Sequence, residues 1–231
     1  MIIHSDIIIE KVVDKYDTDA QNNLGLIFDQ ERNIEKAKEY YQKAADQNNA
    51  DAQNSLGSIF YEEGNIEKAK EYYQKSADQN NADAQNNLGI IFYEEGNIKK
   101  AKEYYQKSAD QNNSYGQNGL GVIFYEEGNI KKAKEYCQKS ADQNNSYGQN
   151  GLGSIFYEEG NIKKAKEYCQ KSADQNNSYG QSSLGFLFEK EGNIKKAKEY
   201  YQKAVDQNNA DAQNNLGLLL KEEGKIKKAK E

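Results

Sequence analysis

Residues 50–81 read ADAQNSLGSIFYEEGNIEKAKEYYQKSADQNN, and close variants of this stretch fill most of the 231-residue chain. The dipeptide Leu-Gly returns every 32 residues, at Leu24-Gly25, Leu56-Gly57, Leu88-Gly89, Leu120-Gly121, Leu152-Gly153, Leu184-Gly185 and Leu216-Gly217. A fixed period of about 20–50 residues is typical of solenoids and other repeat arrays. Because each unit of a solenoid packs only on its neighbours, we expect one long surface rather than one catalytic pocket.

Each repeat predicts two antiparallel helices joined by short turns. The first helix has an apolar face with i, i+4, i+7, i+8 spacing, formed by Ala52, Leu56, Ile59 and Phe60. Gly64 is placed to end this helix, and Asn65 is placed to cap the next one. The inner stripe of the second helix consists of Ile66, Ala69, Tyr73, Ser76 and Ala77. Since neither helix could bury its stripe alone, the pattern predicts an all-α solenoid of antiparallel helix pairs.

The repeat register divides the chain into three parts of one solenoid domain. Residues 18–209 hold six complete repeats. Residues 210–231 hold a partial seventh repeat, which carries the first helix but stops before the Tyr-Tyr pair of the second. Residues 1–17 fall on second-helix columns, which predicts a half repeat: one helix that caps the N-terminal face.

Composition argues against catalysis and against several classes of partner. The net charge is -6, and Lys alternates with Asp and Glu, so there is no basic stripe for nucleic acid. No run approaches the roughly 18 apolar residues of a membrane span. The single histidine, His4, is interpreted as a surface residue, and no catalytic triad, phosphate loop or metal-spaced cluster can be assembled. We therefore expect no enzyme activity, no cofactor and no metal site.

The N-terminal residues bear on localisation. Residues 1–10 lack the cationic start of a secretory signal. A chain whose native start is Met1 is therefore expected to be cytoplasmic.

The two cysteines, Cys137 and Cys169, occupy one column of neighbouring repeats. Helix axes pack about 8–10 Å apart, whereas a disulfide needs Cα atoms within about 7 Å. We therefore expect two core thiols in place of a disulfide.

The repeat also resembles two related families. Leu56-Gly57, Phe60, Gly64, Ala69 and Tyr73 stand in the spacing of the tetratricopeptide repeat (TPR). The junction at residues 76–85, SADQNNADAQ, resembles that of the Sel-one-like repeat. The chain lacks the residues that Sel-one-like repeats insert between their helices and the proline that ends a TPR, so it resembles a short hybrid of the two. This resemblance implies a right-handed superhelix whose first helices line the concave face, and a role in binding proteins or peptides.

A row of amides is the first candidate site. It consists of Asn22, Asn54, Asn86, Asn118, Asn150 and Asn214, with Ser182 in the sixth copy. An Asn side chain offers donors and an acceptor, so a row of them could hold the backbone of an extended peptide whatever its side chains. The alternative is that the row is solvated or contacts the next helix.

Two rows of tyrosines are further candidates on the first helices. The first row, directly after the Phe60 column, is Tyr61, Tyr93, Tyr125 and Tyr157. The second row replaces aspartates of other copies and is Tyr115, Tyr147 and Tyr179. Tyrosine is enriched at binding hot spots, so a ligand zone is predicted across copies four to six. Packing between first helices, or local repacking around Cys137 and Cys169, explains the same changes equally well.

The charges of the first helices indicate the kind of partner. The TPR subclass that clamps carboxylates needs Lys and Arg there, whereas these helices carry Asp and Glu. A neutral or basic protein or peptide is therefore the expected partner, bound by a scaffold without chemistry of its own. The alternatives are a spacer that self-associates end to end through the C-terminal repeat, where Leu218, Leu219 and Leu220 lack a complete following helix, and a fragment of a longer array that regulates an enzyme partner.

Overall fold

The structure, a computed structural model, describes residues 17–230 and, within the last helix, side chains as far as residue 224. The predicted capping helix lies outside the described residues, as does His4. Only its last position, Asp17, is described, and Asp17 caps the first helix. The described residues form helices and turns without a strand, which confirms the all-α repeat solenoid.

The chain falls into two compact units, Met1–Gln111 (unit 1) and Asn112–Glu231 (unit 2). The described helices of unit 1 are α1 (Thr18–Gln30), α2 (Ile34–Ala45), α3 (Ala50–Glu62), α4 (Ile66–Asp78), α5 (Ala82–Glu94) and α6 (Ile98–Asp110). The helices of unit 2 are α7 (Ser114–Glu126), α8 (Ile130–Asp142), α9 (Ser146–Glu158), α10 (Ile162–Asp174), α11 (Ser178–Lys190), α12 (Ile194–Val205) and α13 (Ala210–Lys230). Odd-numbered helices are the first helices of their repeats.

Asparagine and glycine set where these helices begin and end. The Asn65 side chain caps α4 by accepting from the backbone N–H of Lys68 at 3.3 Å, and Asn81 caps α5 in the same way. Five first helices end before a glycine with φ between 73° and 77°, as at Gly64. This left-handed region costs an L-residue about 1–2 kcal/mol. In the first repeat, Arg32 adopts it with φ 60°.

The Leu-Gly dipeptide recurs because a second helix lies directly on the glycine. A Cβ atom added to Gly57 would lie 2.5 Å from Cδ1 of Tyr73, whose ring crosses the backbone of α3 there. Leu56 beside it is buried, as are Ala69 and Tyr73 on α4. In unit 2 the residues facing the corresponding glycines are Cys137, Cys169 and Tyr201.

Ion pairs join successive repeats at their outer edges. In unit 1, Lys70 Nζ lies 2.6 Å from a carboxylate oxygen of Glu95. The equivalent pair in unit 2, Lys134 with Glu159, is also separated by 2.6 Å. Because such partly exposed pairs contribute only about 0–1 kcal/mol each, the buried stripes and not these charges hold the repeats together.

The C-terminal helix differs from the other first helices. Helix α13 continues through Gly224 to Lys230 as one helix, whereas Gly64 and its counterparts start a turn. A Cβ atom added to Gly217, the glycine of this Leu-Gly pair, would meet no heavy atom within 4 Å. A turn at Gly224 would therefore have no tyrosine ring to return to this glycine, and continuing the helix satisfies the backbone instead. None of the described helices combines the length and apolar character that a membrane crossing requires.

Candidate functional site

The first helices of unit 2 present one face built from a fixed set of positions. On α9 these positions are Tyr147, Asn150, Ser154 and Tyr157, which are separated by three, four and three residues. Residues with this spacing lie on the same side of a helix. The equivalent residues of α7 and α11 repeat the pattern, so we call this surface of α7, α9, α11 and α13 the first-helix face.

Three exposed tyrosines form a row at the N-terminal ends of α7, α9 and α11. The exposed fractions of Tyr115, Tyr147 and Tyr179 are 53%, 43% and 51%. Consecutive ring centroids are 6.4 Å and 6.1 Å apart, with tilted planes. Aromatic pairs are favourable at such separations. The sequence-predicted row is therefore one continuous aromatic strip, and all of it lies within unit 2.

The other tyrosine row connects successive first helices. The Tyr61 hydroxyl donates to the Glu94 carboxylate at 2.8 Å in unit 1, and Tyr125 donates to Glu158 in unit 2. The bond to the Glu158 carboxylate, together with burial, raises the pKa of Tyr125 to about 12. Burial first, and then Glu94, raise the pKa of Tyr61 to about 12.

The remaining two members of this row are also half-buried. The Tyr157 ring packs edge-on against Phe186 with centroids 5.2 Å apart. Tyr93 belongs to unit 1. The predicted row thus does packing work between helices, while Tyr125 and Tyr157 keep part of their rings on the first-helix face.

The asparagine row is more sheltered than the tyrosine strip. Asn22 and Asn86 are buried, Asn54, Asn118 and Asn150 are half-buried, and Asn214 is exposed. In unit 1, Asn87 Nδ2 donates to Asn54 Oδ1 at 3.1 Å, so this amide contacts the next first helix. The Oδ1 atoms of Asn22 and Asn150 are buried and have no hydrogen-bond partner. Peptide binding by this row stays a prediction.

Two clefts open on the first-helix face of unit 2, one repeat apart. The Cys137 cleft, of about 260 Å³, lies between α7 and α9 and is lined by Gly121, Val122, Tyr125, Cys137, Asn150 and Gly151 among others. The Cys169 cleft, of about 320 Å³, lies between α9 and α11 and is lined at the equivalent positions by Gly153, Ser154, Tyr157, Cys169, Ser182 and Ser183. The two clefts are therefore one structural feature that occurs in two successive repeats.

The clefts coincide with the repeats in which cysteine replaces tyrosine. In the second repeat the Tyr73 ring lies on Gly57, and its hydroxyl donates to Ser58 Oγ at 3.1 Å. In the fifth repeat Gly153 and Ser154 keep their places, but the facing side chain is Cys169. Because a cysteine side chain ends at its sulfur, nothing extends from α10 towards Ser154. The cleft lies against the residues whose counterparts hold a phenol ring.

The chemistry of the Cys169 cleft suits recognition. Burial raises the pKa of the Cys137 and Cys169 thiols to about 12, so both stay protonated at neutral pH and are weak nucleophiles. The walls offer serine hydroxyls, aromatic rings and the carboxylates of Glu158 and Asp211. Among the described residues, no group of His, Cys, Asp and Glu is arranged to hold a metal ion.

Sequence reasoning noticed the cysteine column but missed its consequence. The change from Tyr to Cys was visible, and both cysteines are buried and free as expected. The cleft residues Ser154, Ser183, Phe186 and Asp211 were not recognised as candidates. The available signal was the pairing, 15 residues apart, of Ser58 with Tyr73 and of Ser154 with a cysteine.

Comparison with known families accounts for nearly the same residues as the repeat register. The chain matches the tetratricopeptide repeat at residues 22–84, 54–116, 86–148 and 182–211. It matches the Sel1 repeat at residues 146–177 and 210–230. A search of curated proteins found no significant match.

Solved structures with similar folds include Sel1 and pilus-related proteins. A Sel1 repeat protein from Oxalobacter formigenes is 25% identical with a TM-score of 0.72, and the match covers 82% of this chain and 86% of that one. PilF from Pseudomonas aeruginosa is 25% identical with a TM-score of 0.66, covering 87% of this chain and 96% of that one.

A third similar structure is a protective antigen of uropathogenic Escherichia coli with an SLR fold. It is 30% identical with a TM-score of 0.59, and the match covers 87% of this chain but only 49% of the antigen. The matches to the tetratricopeptide repeat extend over residues 22–148, more than half of the chain. The chain therefore belongs to the tetratricopeptide repeat family, with Sel1-type repeats in its C-terminal half.

Proposed function

We propose that unit 2 binds an extended protein segment along its first-helix face and carries out no catalysis of its own. Tetratricopeptide and Sel1 repeats generally serve as protein-interaction scaffolds, and these families are generally non-catalytic. The observation that carries the proposal is the aromatic strip of Tyr115, Tyr147 and Tyr179, whose rings are about half exposed and in mutual contact. Clustered exposed aromatic rings mark interaction sites.

The charges beside the strip favour a neutral or basic segment. Glu158 and Asp211 line the Cys169 cleft on the same face, and the net charge of the chain is -6. Carboxylates of one sign on a binding face attract cationic partners and repel anionic ones. We therefore expect binding to weaken as the salt concentration rises.

The test selects peptides from a displayed random library with the full chain and measures the affinity of one selected peptide. Replacing Tyr115, Tyr147 and Tyr179 with Asp restores the residue type that other repeats have at this position, as at Asp51, so the variant is expected to fold. Loss of a central aromatic contact costs at least about 2 kcal/mol, so we expect the affinity to fall by at least about 30-fold.

The matched control changes three exposed lysines of the second helices, Lys131, Lys163 and Lys195, to Ala. Binding by this control should stay within about twofold, as surface changes away from a contact usually do. A library that yields no peptide, or a triple Asp variant that binds as the unchanged chain does, would refute the proposal.

A second candidate function is self-association through the C-terminal repeat. Leu218 and Leu220 on α13 are half exposed, whereas Leu219 between them is buried. Exposed apolar residues on a terminal repeat favour contact with another chain. Light scattering over a dilution series, with Leu218→Lys and Leu220→Lys as the comparison, tests this: a monomer at every concentration excludes it.

A further inference from the structure

We propose that the Cys169 cleft binds a tyrosine side chain of the partner segment, whose phenol hydroxyl donates to Ser154. This inference rests on the proposed function, because it names the side chain that the bound segment inserts. Its basis is a substitution within the chain: at this cleft the protein lacks a ring that its other repeats supply themselves.

The second repeat shows how the fold holds such a ring. Tyr73 is only 3% exposed, lies on Gly57 and donates to Ser58 Oγ at 3.1 Å. The Ser58 hydroxyl donates in turn to the carbonyl oxygen of Asn54 at 3.3 Å. The serine thus uses its proton on its own helix and offers a lone pair to the phenol.

The fifth repeat keeps this arrangement without the phenol. The Ser154 hydroxyl donates to the carbonyl oxygen of Asn150 at 3.3 Å, the same bond at the same length as in the second repeat. Its lone pair is therefore oriented as that of Ser58 is. From α10, Cys169 reaches only as far as Gly153, since a Cβ atom added to that glycine would meet the sulfur first.

The walls and the size of the cleft also fit one aromatic side chain. Phe186, Leu187 and Tyr157 provide apolar and aromatic surface beside Ser154. Pockets for small-molecule ligands usually span about 300–1,000 Å³, so a cleft of 320 Å³ lies at the lower end of that range. The carboxylates of Glu158 and Asp211 at the same cleft favour a basic residue near the tyrosine.

The Cys137 cleft provides a comparison within the same unit. Its residue at the position of Ser154 is Val122, which has no hydroxyl. A phenol there would find an apolar wall in place of a hydrogen-bond acceptor at this position. The preference for tyrosine over phenylalanine should therefore belong to the Cys169 cleft.

The first experiment reads the cleft without a peptide, using p-cresol and toluene as probes. Each probe is titrated into the isotopically labelled full chain, and the backbone amide shifts of Gly153 and Ser154 are followed by NMR. We expect saturable shifts with p-cresol and weaker binding of toluene. The variant Ser154→Ala should weaken p-cresol binding about fivefold, the worth of one hydrogen bond, and leave toluene binding unchanged.

The variant Cys169→Tyr fills the cleft with the protein's own ring. Tyr41, Tyr73, Tyr105 and Tyr201 occupy this column in other repeats, so the fold accommodates the substitution. We expect it to abolish the p-cresol shifts at Ser154, whereas Cys137→Tyr, the same change one repeat earlier, should preserve them. Equal p-cresol shifts in the Cys169→Tyr variant, or an equal effect of Ser154→Ala on both probes, would overturn the proposal.

The second experiment uses a peptide selected from the displayed library. Its tyrosine is changed to phenylalanine, with an expected loss of about fivefold, and the unchanged peptide is measured against Cys169→Tyr, with an expected loss of at least about 30-fold. If peptides are selected but bind Cys169→Tyr within twofold of the unchanged chain, the inference fails while the proposed function stands. If no peptide is selected, the proposed function fails and this inference fails with it, even where p-cresol binds.

Discussion

Replacing Tyr73 with cysteine should turn the second repeat into a copy of the repeats that carry a cleft. Tyr73 is 3% exposed, and its ring lies between the backbone of Gly57 and the hydroxyl of Ser58. Cys137 and Cys169 show that cysteine is compatible with this column. The substitution removes the ring and the phenol hydroxyl without changing the helices that surround them.

The expected loss follows from the buried area and the hydrogen bond. A buried aromatic side chain removes about 150–250 Å² from water, worth about 4–6 kcal/mol at about 25 cal/mol per Å². Cysteine retains Cβ and a sulfur atom, roughly a third of that gain, and the lost phenol bond adds about 1 kcal/mol. Water entering beside Ser58 offsets part of the cost of the space that remains. We expect Tyr73→Cys to lower the free energy of unfolding by about 3 kcal/mol, within the range of large-to-small core changes.

Urea denaturation followed by far-UV circular dichroism measures this change. Tyr73→Phe is the matched control, because it removes only the hydroxyl and should cost about 1 kcal/mol. Cys169→Tyr should shift the midpoint in the opposite direction, since it adds a ring where a cleft exists. A loss below about 1 kcal/mol for Tyr73→Cys would show that the ring does not fill the space we assign to it, and the account of the clefts would fall with it.

Three further outcomes are expected. Arg32→Gly should raise the thermal unfolding midpoint by about 1 kcal/mol in stability, because glycine relieves the left-handed strain at φ 60°; an unchanged midpoint would show that arginine is not strained there. The raised pKa of Tyr125 means that its contribution to stability is full below about pH 10 and is lost as pH rises towards about 12; the unfolding midpoint of the unchanged chain should therefore fall more steeply over that interval than that of Tyr125→Phe, and parallel curves would contradict this. Because the thiols of Cys137 and Cys169 are buried with a pKa of about 12, a disulfide reagent at mildly alkaline pH should react slowly with the native chain and fully in denaturant; rapid native reaction would mean that the thiols are exposed.

Much of the local structure could be read directly from the residues. The 32-residue period, the apolar stripes and the Asn and Gly signals predict helix pairs, and the described helices follow them from Thr18 to Val205. These features are local, because a helix stripe, a cap and a left-handed turn each depend on residues within a few positions of one another. The prediction failed only at Gly224, where α13 continues because the described residues offer no second helix to pack back.

The amino-acid sequence by itself determined the repeat, its two helices, the family and the candidate rows of side chains. It did not determine which of those side chains face solvent, because first helices one repeat apart approach each other only after packing. Tertiary structure decided that Tyr115, Tyr147 and Tyr179 form an exposed strip, whereas Tyr61 and Tyr125 are held by glutamates of the next repeat. It also decided that a cysteine in a tyrosine column leaves a cleft beside Ser154, because the missing volume lies between two helices that the sequence lists 15 residues apart. Space between packed elements depends on how closely they approach, and only the folded chain fixes that distance.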